Sequence, residues 1–392
     1  MAVPATVRNP GLLSTVLFAG MGTATFTAGS LGILASFIID DLSISRAQFG
    51  IALAVVNVAS ALLSPVAGRF TDRIGGRAAL VALFLVAAAT FMILGVAFVY
   101  PALLVGALVG AFSQALANPS TNKLIAESIP MGKRGLIVGI KQSGVQAGIF
   151  LGGLTLPTLA EMVGWRGTYL LVAVGPLLLA GVTLRVAPSA HRAEDAVGAG
   201  DSPALPVAIW WLAGYGALMG FSFGVAFLVP LFSEEALGLT PVVAGIAAAT
   251  IALVAVMGRI VWSRYAEHSG KYRGSLSVMA ALALGAAGLF YAADVAAVWL
   301  LWPACVLVAA GSGSWNSVGM LTVMVVAGSE STGRASGFVL LGFLTGLGIS
   351  SPVFGGLVDR TASYDSMWLL SAAAALAALV LSRLWERTTR SG

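Results

Sequence analysis

The sequence predicts an all-α integral membrane protein, with twelve transmembrane helices arranged as two parallel six-helix repeats. Three observations predict it. The 392 residues are 58% hydrophobic and only 9% charged, far below the roughly 25% charged residues of a soluble domain. Apolar runs of about twenty residues recur along the chain, the length that crosses a ~30 Å hydrocarbon core. Landmarks of the first half return, in order, in the second.

The elements follow in order. The first run, 12–38, comes after Arg8; it is too long for the ~7–15-residue core of a secretory leader and reads as span one. Spans two to six fall at 47–68, 78–99, 101–122, 135–158 and 165–187, with a narrow division at Tyr100-Pro101. A polar stretch at 188–205 reads as a linker between a first bundle, 1–187, and a second, 206–392. The second bundle holds spans at 206–232, 239–262, 274–293, 295–327, 335–358 and 366–386. The 48 glycines suit such bundles, because small residues let helix backbones approach closely.

Charge placement orients the chain. Arg69, Arg73, Arg77, Lys123, Lys133, Arg134, Arg185, Arg192, Arg264, Lys271, Arg273 and Arg334 fall on the side of the termini, whereas only Arg46, Arg166 and Arg360 fall opposite. The positive-inside tendency then puts both termini and the linker in the cytoplasm, within a cytoplasmic (inner) membrane. The net charge of +5 sits in short clusters between apolar runs, not along one solvated face, so a nucleic-acid partner is excluded. Cys305 is alone, and His191 and His268 fall in connectors, so no disulfide, metal site or cofactor is expected. An intramembrane enzyme would need His, Cys or carboxylates clustered at depth, and none is evident. Two covalent halves suit alternating access better than a symmetric channel.

The repeat is specific. Gly68-Arg69-Phe70-Thr71-Asp72-Arg73-Ile74-Gly75-Gly76-Arg77 follows span two, and Ser263-Arg264-Tyr265-Ala266-Glu267-His268-Ser269-Gly270-Lys271-Tyr272 follows span eight. They align position by position, Asp72 on Glu267 and Gly75 on Gly270. Gly148-Ile149-x-x-Gly152-Gly153 in span five likewise matches Ser351-Pro352-x-x-Gly355-Gly356 in span eleven. Copies six spans apart share one orientation, the parallel-repeat architecture with its solute site near midplane. The run Gly68-x-x-x-Asp72-Arg73-x-Gly75-x-Arg77 resembles motif A of the major facilitator superfamily, and Gly76 departs from it where the family often has a basic residue. The resemblance implies that Asp72 docks near Thr332 to Ser336 and holds a cytoplasmic gate shut; a carboxylate is favoured at the N-terminal end of a helix. These charges also fix topology. Gly144, Gly148, Gly152 and Gly153 resemble the family's antiporter motif C without its Gly-Pro, and they also suit plain close packing.

Polar residues inside a membrane are costly and mark candidate sites. Span one carries Thr23, Thr27 and Ser30; span two Asn57, Ser60 and Ser64; span four Gln114, Asn118, Thr121 and Asn122; span five Lys141, Gln142 and Gln146. Steps of three and four keep each set largely on one helix face. In the second half the candidates are Tyr215, Ser222 and Phe223 in span seven, then Trp315 and Asn316 in span ten. In the family these numbered spans, one, four, seven and ten, line the cavity; helix–helix hydrogen bonding is the alternative. A simple hairpin centred near Pro130 brings Asn118 and Lys141 to similar depth. Lys141 beside amides is an anion site or, alternatively, a lysine snorkelling to the interface. Arg259, one turn inside span eight, anchors or gates. Asn118-Pro119 and Lys141-Gln142-Ser143-Gly144 are loosely similar to prokaryotic cyanate- and nitroimidazole-type carriers.

The carboxylates, among them Asp40, Asp41, Glu127, Glu161, Glu234, Glu235 and Asp294, lie in loops or at span ends. Three coupling schemes stay open: no proton, a proton carried on the substrate, or titration of Lys141 itself. The expected function is a monomeric secondary transporter in the bilayer, moving a small organic anion or weak acid with a co-transported proton as an option. Efflux of lipophilic compounds is the alternative.

Overall fold

The computed structural model describes residues 10–129, 134–188 and 205–388, and among these the backbone is helix and short turn with no strand. The linker expected at 188–205 lies almost wholly outside the described residues. Helix is what the bilayer dictates, since an unpaired N–H or C=O in hydrocarbon costs several kcal/mol. The helices are α1 (Pro10–Ile33), α2 (Ala35–Leu42), α3 (Arg46–Ile74), α4 (Gly76–Gly95), α5 (Tyr100–Ser128), α6 (Arg134–Val186) and α7 (Val207–Phe223). There follow α8 (Val229–Glu235), α9 (Pro241–Ser269), α10 (Tyr272–Val295), α11 (Leu301–Ala310), α12 (Trp315–Thr361) and α13 (Asp365–Thr388).

Eleven described stretches are long and apolar enough to cross a membrane. One of them, Ile140–Val186, holds two spans, because α6 is broken at Gly164 with φ 73° and ψ 159°. That left-handed φ is a glycine conformation, and splitting there turns eleven stretches into the twelve spans of the repeat. Two expected spans are less regular than the hydrophobic pattern implied. Span seven is α7, a 3₁₀ turn over Gly224–Phe227, and α8. Span ten is interrupted between α11 and α12 by Gly311-Ser312-Gly313-Ser314. Glycine is a weak helix former, and the serines here bond backbone carbonyls: Ser312 Oγ donates to Val308 O (3.2 Å) and Ser314 Oγ to Ala309 O (2.7 Å). Such bonds compete with the regular helix ladder.

The chain forms two compact units, Met1–Ile44 with Val55–Val197, and Ser45–Ala54 with Gly198–Gly392. In the first unit α1 lies on α6 so closely that a Cβ on Gly144 would overlap Phe18 O, and one on Gly22 would stand 2.7 Å from Gly144 O. In the second, α7 lies on α12 in the same way: a Cβ on Gly346 would overlap Ala217 O, and one on Gly220 would overlap Phe343 O. Spans one and five therefore repeat as spans seven and eleven. Backbones brought this close gain dispersion contacts that larger side chains would forbid.

The first turns of α3 belong to the second unit through capping. Asp359 accepts from Arg46 N (3.1 Å) and Ala47 N (2.8 Å), two donors that a helix start leaves unpaired. The Arg46 guanidinium pairs with Glu235 at 2.8 Å and Asp359 at 3.5 Å. Tyr364 OH donates to the same Glu235 Oε2 at 2.5 Å; burial, and then the Glu235 carboxylate, push that hydroxyl's pKa up.

Candidate functional site

The first unit holds a buried cation. Lys141 lies in the early turns of α6 and is fully buried. Its Nζ donates to Asn122 Oδ1 (2.6 Å), Thr121 Oγ1 (2.8 Å) and, more distantly, Asn118 Oδ1 (3.5 Å). The three acceptors share α5 because steps of three and four place them on one face. Thr121 Oγ1 gives its own proton to Ala117 O at 2.6 Å, which turns a lone pair toward the lysine. Gln142 Nε2 reaches Asn118 Oδ1 at 3.5 Å as well. The lysine stem thus does not carry its ammonium to the interface.

All of these acceptors are neutral. An ammonium has three N–H donors; two are engaged at charge-assisted distances and the third is held loosely, at the outer limit of a hydrogen bond. Asn118, Asn122 and Gln142 are exposed at the rim of this cluster. The arrangement offers a positive charge with a spare donor, bordered by neutral amides, which is chemistry that receives an anion.

The structure disperses the other candidates of this unit. Gln114 Nε2 reaches Asn57 Oδ1 at 3.5 Å, joining α5 to α3. Thr27 is fully buried, and Thr27 Oγ1 and Gln114 Oε1 have no hydrogen-bond partner among the described residues. Thr23 instead lines an apolar cavity of about 330 Å³ between α1 and α6, walled by Phe18, Phe26, Phe91, Leu151 and Leu156.

In the second unit two candidates act as helix ties. Tyr215 OH donates to Leu276 O at 2.7 Å, and Ser222 Oγ meets Ser371 Oγ at 3.2 Å. The Tyr215 ring meets Trp315 edge-on at 5.9 Å, and Phe223 packs where a Cβ on Gly313 would fall, at 3.0 Å. Trp315 is fully buried; its Nε1 and Asn316 Oδ1 lack a partner among the described residues. One arrangement escaped the sequence reading. Arg259 Nε and Nη2 both donate to Gly313 O, at 3.4 and 3.3 Å, and Trp262 Nε1 donates to Ala310 O at 3.0 Å. The Gly-Ser-Gly-Ser run was the available signal, because it leaves carbonyls inside a span in need of donors.

The motif after span two is built around glycine geometry. Gly75 has φ 83° and Gly270, its repeat partner, φ 65°, so both loops turn where other residues would be strained. Gly68 stands in open space. Asp72 pairs with Lys123 at 3.3 Å and keeps a largely exposed side chain, while Arg73 and Glu267 are exposed. Arg77 Nη2 donates to Leu184 O. Glu127 Oε2 accepts from Gly76 N at 3.3 Å, and burial pushes its carboxyl pKa up. The docking expected for Asp72 falls at Thr332 to Ser336, where side chains up to Arg334 lie outside the described ones.

Comparison with known proteins adds lineage. The sequence profile described as Major Facilitator Superfamily matches residues 16–350. The chain is similar to the gallate transporter of Pseudomonas putida, 29% identical over 45% of this chain and 38% of that one. It is also similar to the multi-drug resistance efflux pump PmrA of Streptococcus pneumoniae, 29% identical over 40% of this chain and 41% of that one. These matches span only about two fifths of the relatives' own length. Among solved structures, a bacterial homologue of the human lysosomal transporter Spinster superposes with a TM-score of 0.77, at 16% identity, over 100% of this chain and 98% of that one. That likeness speaks for the fold.

Proposed function

The chain belongs to the Major Facilitator Superfamily, and on that premise we propose that it is a secondary transporter for a small organic anion or weak acid, working by alternating access. One observation carries the anion: among the described residues, Lys141, fully buried, bonds to neutral oxygens alone and has a third donor loosely held by Asn118. A charge sunk in a membrane protein without a counter-ion is favoured when a ligand supplies one. Asn118 and Gln142 form the rim the ligand meets first. Trp315 and Asn316 offer polar atoms without a partner among the described residues of the second unit. Gallate, the solute in the Pseudomonas relative's name, is an aromatic carboxylate and fits this class.

The proton, in this reading, travels on the weak acid itself, since the recognisable carboxylates lie at span ends. Transport that ignores an imposed pH gradient would remove this scheme. The protein works as a monomer in the cytoplasmic membrane with its termini inside. Asp72 and its loop gate the cytoplasmic side, so Asp72→Asn should slow transport in reconstituted vesicles while leaving the protein folded and inserted; undiminished rates would sink the gating role.

Efflux of lipophilic compounds is the second reading, supported by the apolar cavity beside Thr23 and by the likeness to PmrA. A thermal-shift screen separates the two, because a ligand that binds only the native state raises stability. Carboxylates should stabilise the wild type and lose most of that effect in Lys141→Ala. Stabilisation by lipophilic cations alone would overturn the anion reading.

A further inference from the structure

Arg259 is the second cation placed inside a span, and anchoring Gly313 O uses only part of its guanidinium. It follows eighteen uncharged residues of α9, from Pro241 to Gly258, and projects to the interruption of span ten at 311–314. That interruption is built, not frayed. Gly311 N donates to Leu307 O and Gly313 N to Val308 O, both at 2.9 Å. Ser314 Oγ reaches Ala309 O and, across to α9, Ala255 O (3.3 Å). Two glycines make the fit possible: a Cβ on Gly258 would collide with Ser314 Oγ, and one on Gly311 would stand 2.6 Å from Met279 O of α10.

Against this rigid turn the guanidinium is poorly satisfied. Its Nε and Nη2 fork onto one carbonyl oxygen, at 3.4 and 3.3 Å. Charge-assisted N–H···O bonds run to about 2.7–2.9 Å, and the fork matches two oxygens of a carboxylate better than one of a peptide. A guanidinium carries five N–H donors, so three have no hydrogen-bond partner among the described residues. The described ion pairs join Arg46 to Glu235 and Asp359, Lys123 to Asp72, and Arg166 to Asp41; none supplies Arg259 with a counter-ion. The residue is only partly buried. The start of α12, at Trp315, adds the positive end of a helix dipole to the same place.

We infer that Arg259 and the 311–314 turn form an anion-binding position of their own within the second unit, taking a small planar carboxylate on the free edge of the guanidinium. This goes beyond the Lys141 reading and stands if that one fails. The planar fork makes the position selective for carboxylate over a spherical halide. It also explains why α9 presents an arginine, whose bidentate geometry a lysine lacks.

The test uses the full-length protein in detergent, with sodium benzoate as the probe and sodium chloride at equal ionic strength as the reference. In Lys141→Gln, which removes the other cation inside a span, benzoate should still raise the unfolding temperature saturably. Adding Arg259→Gln should abolish that response, and adding Arg259→Lys should weaken apparent affinity about tenfold, the loss of one charged hydrogen bond. The lysine variant keeps the charge and stays informative if the glutamine variant does not fold. A benzoate response unchanged by either Arg259 substitution overturns the inference, as does its absence from Lys141→Gln with Arg259 intact. Loss of the wild-type response in Lys141→Gln alone would leave the first anion reading standing without this one.

Discussion

Lys141 and Arg259 are both cations held inside membrane spans, and the protein solvates them in opposite ways. Lys141 is surrounded by side-chain oxygens from one face of α5, a helix that runs on without interruption past Pro119. Arg259 faces main-chain oxygen, exposed because span ten gives up its helix for four residues. The first arrangement needs only amide and hydroxyl side chains at the right spacing. The second needs a broken helix, and the broken helix in turn needs the arginine. The cation is optional in one case and part of the structure in the other.

The comparison can be broken most severely at Gly144, three residues beyond the lysine. Gly144→Ala puts a methyl group into Phe18 O, so α1 and α6 must part. Thermal unfolding should show a loss at the upper end of the ~1–3 kcal/mol typical of overpacking. Gly175→Ala, which meets nothing within 4 Å, should be neutral or slightly stabilising. Equal effects would mean that the close approach of α1 and α6 is not what the fold depends on.

The next test is direct. Arg259→Met leaves Gly313 O without its donor inside a span, which should cost about 1–3 kcal/mol. Lys141→Met removes a buried charge whose acceptors Asn118 and Asn122 reach the exposed rim, so stability should hold or rise while most of the response to carboxylates is lost and the part owed to Arg259 persists. Similar destabilisation of both variants would erase the distinction. A finer version is Trp262→Phe, which keeps an aromatic ring while deleting the donor to Ala310 O and part of the indole; a loss of at least about 1 kcal/mol is expected.

The smallest effect belongs to a cation with a proper counter-ion. Arg166 Nη2 sits 2.6 Å from Asp41 Oδ2 in a pair that remains substantially exposed. The guanidinium hydrogen bond holds the Asp41 carboxyl below its usual range. A depressed carboxyl stabilises the fold above its unfolded pKa of about 4 and loses that contribution as pH falls through the folded value. Exposure limits it to about 0.5 kcal/mol. Arg166→Gln should therefore lower stability slightly at pH 7 and flatten its decline below about pH 4. A decline as steep as the wild type's would place the acid sensitivity elsewhere.

Much of this was legible in the residue order. Apolar run length fixes the spans, because bilayer thickness sets one length for all of them. The paired loops at Gly68–Arg77 and Ser263–Tyr272 carry the repeat, and the glycines at 75 and 270 both take a positive φ, with ψ differing between them (160° and 5°). Asn118 and Lys141 could be brought to one depth by counting residues from a hairpin, since helix rise is constant. What hydropathy could not register was the interruption of span ten, because Gly and Ser sit comfortably in an apolar run whether helical or not. Nor could it separate Tyr215 and Ser222, which tie helices together, from Lys141, whose polar partners line an exposed rim: both are polar residues at membrane depth.

By itself, then, the sequence determined that the chain is membrane-embedded, twelve-spanned and two-fold repeated, since solvent imposes those features on composition and period. Only the tertiary structure decided which buried polar groups complete one another and which are left with a donor to spare. That depends on differences of an ångström or less in how helices meet, such as the one between the 2.6 Å bond from Lys141 to Asn122 and the 3.5 Å bond to Asn118.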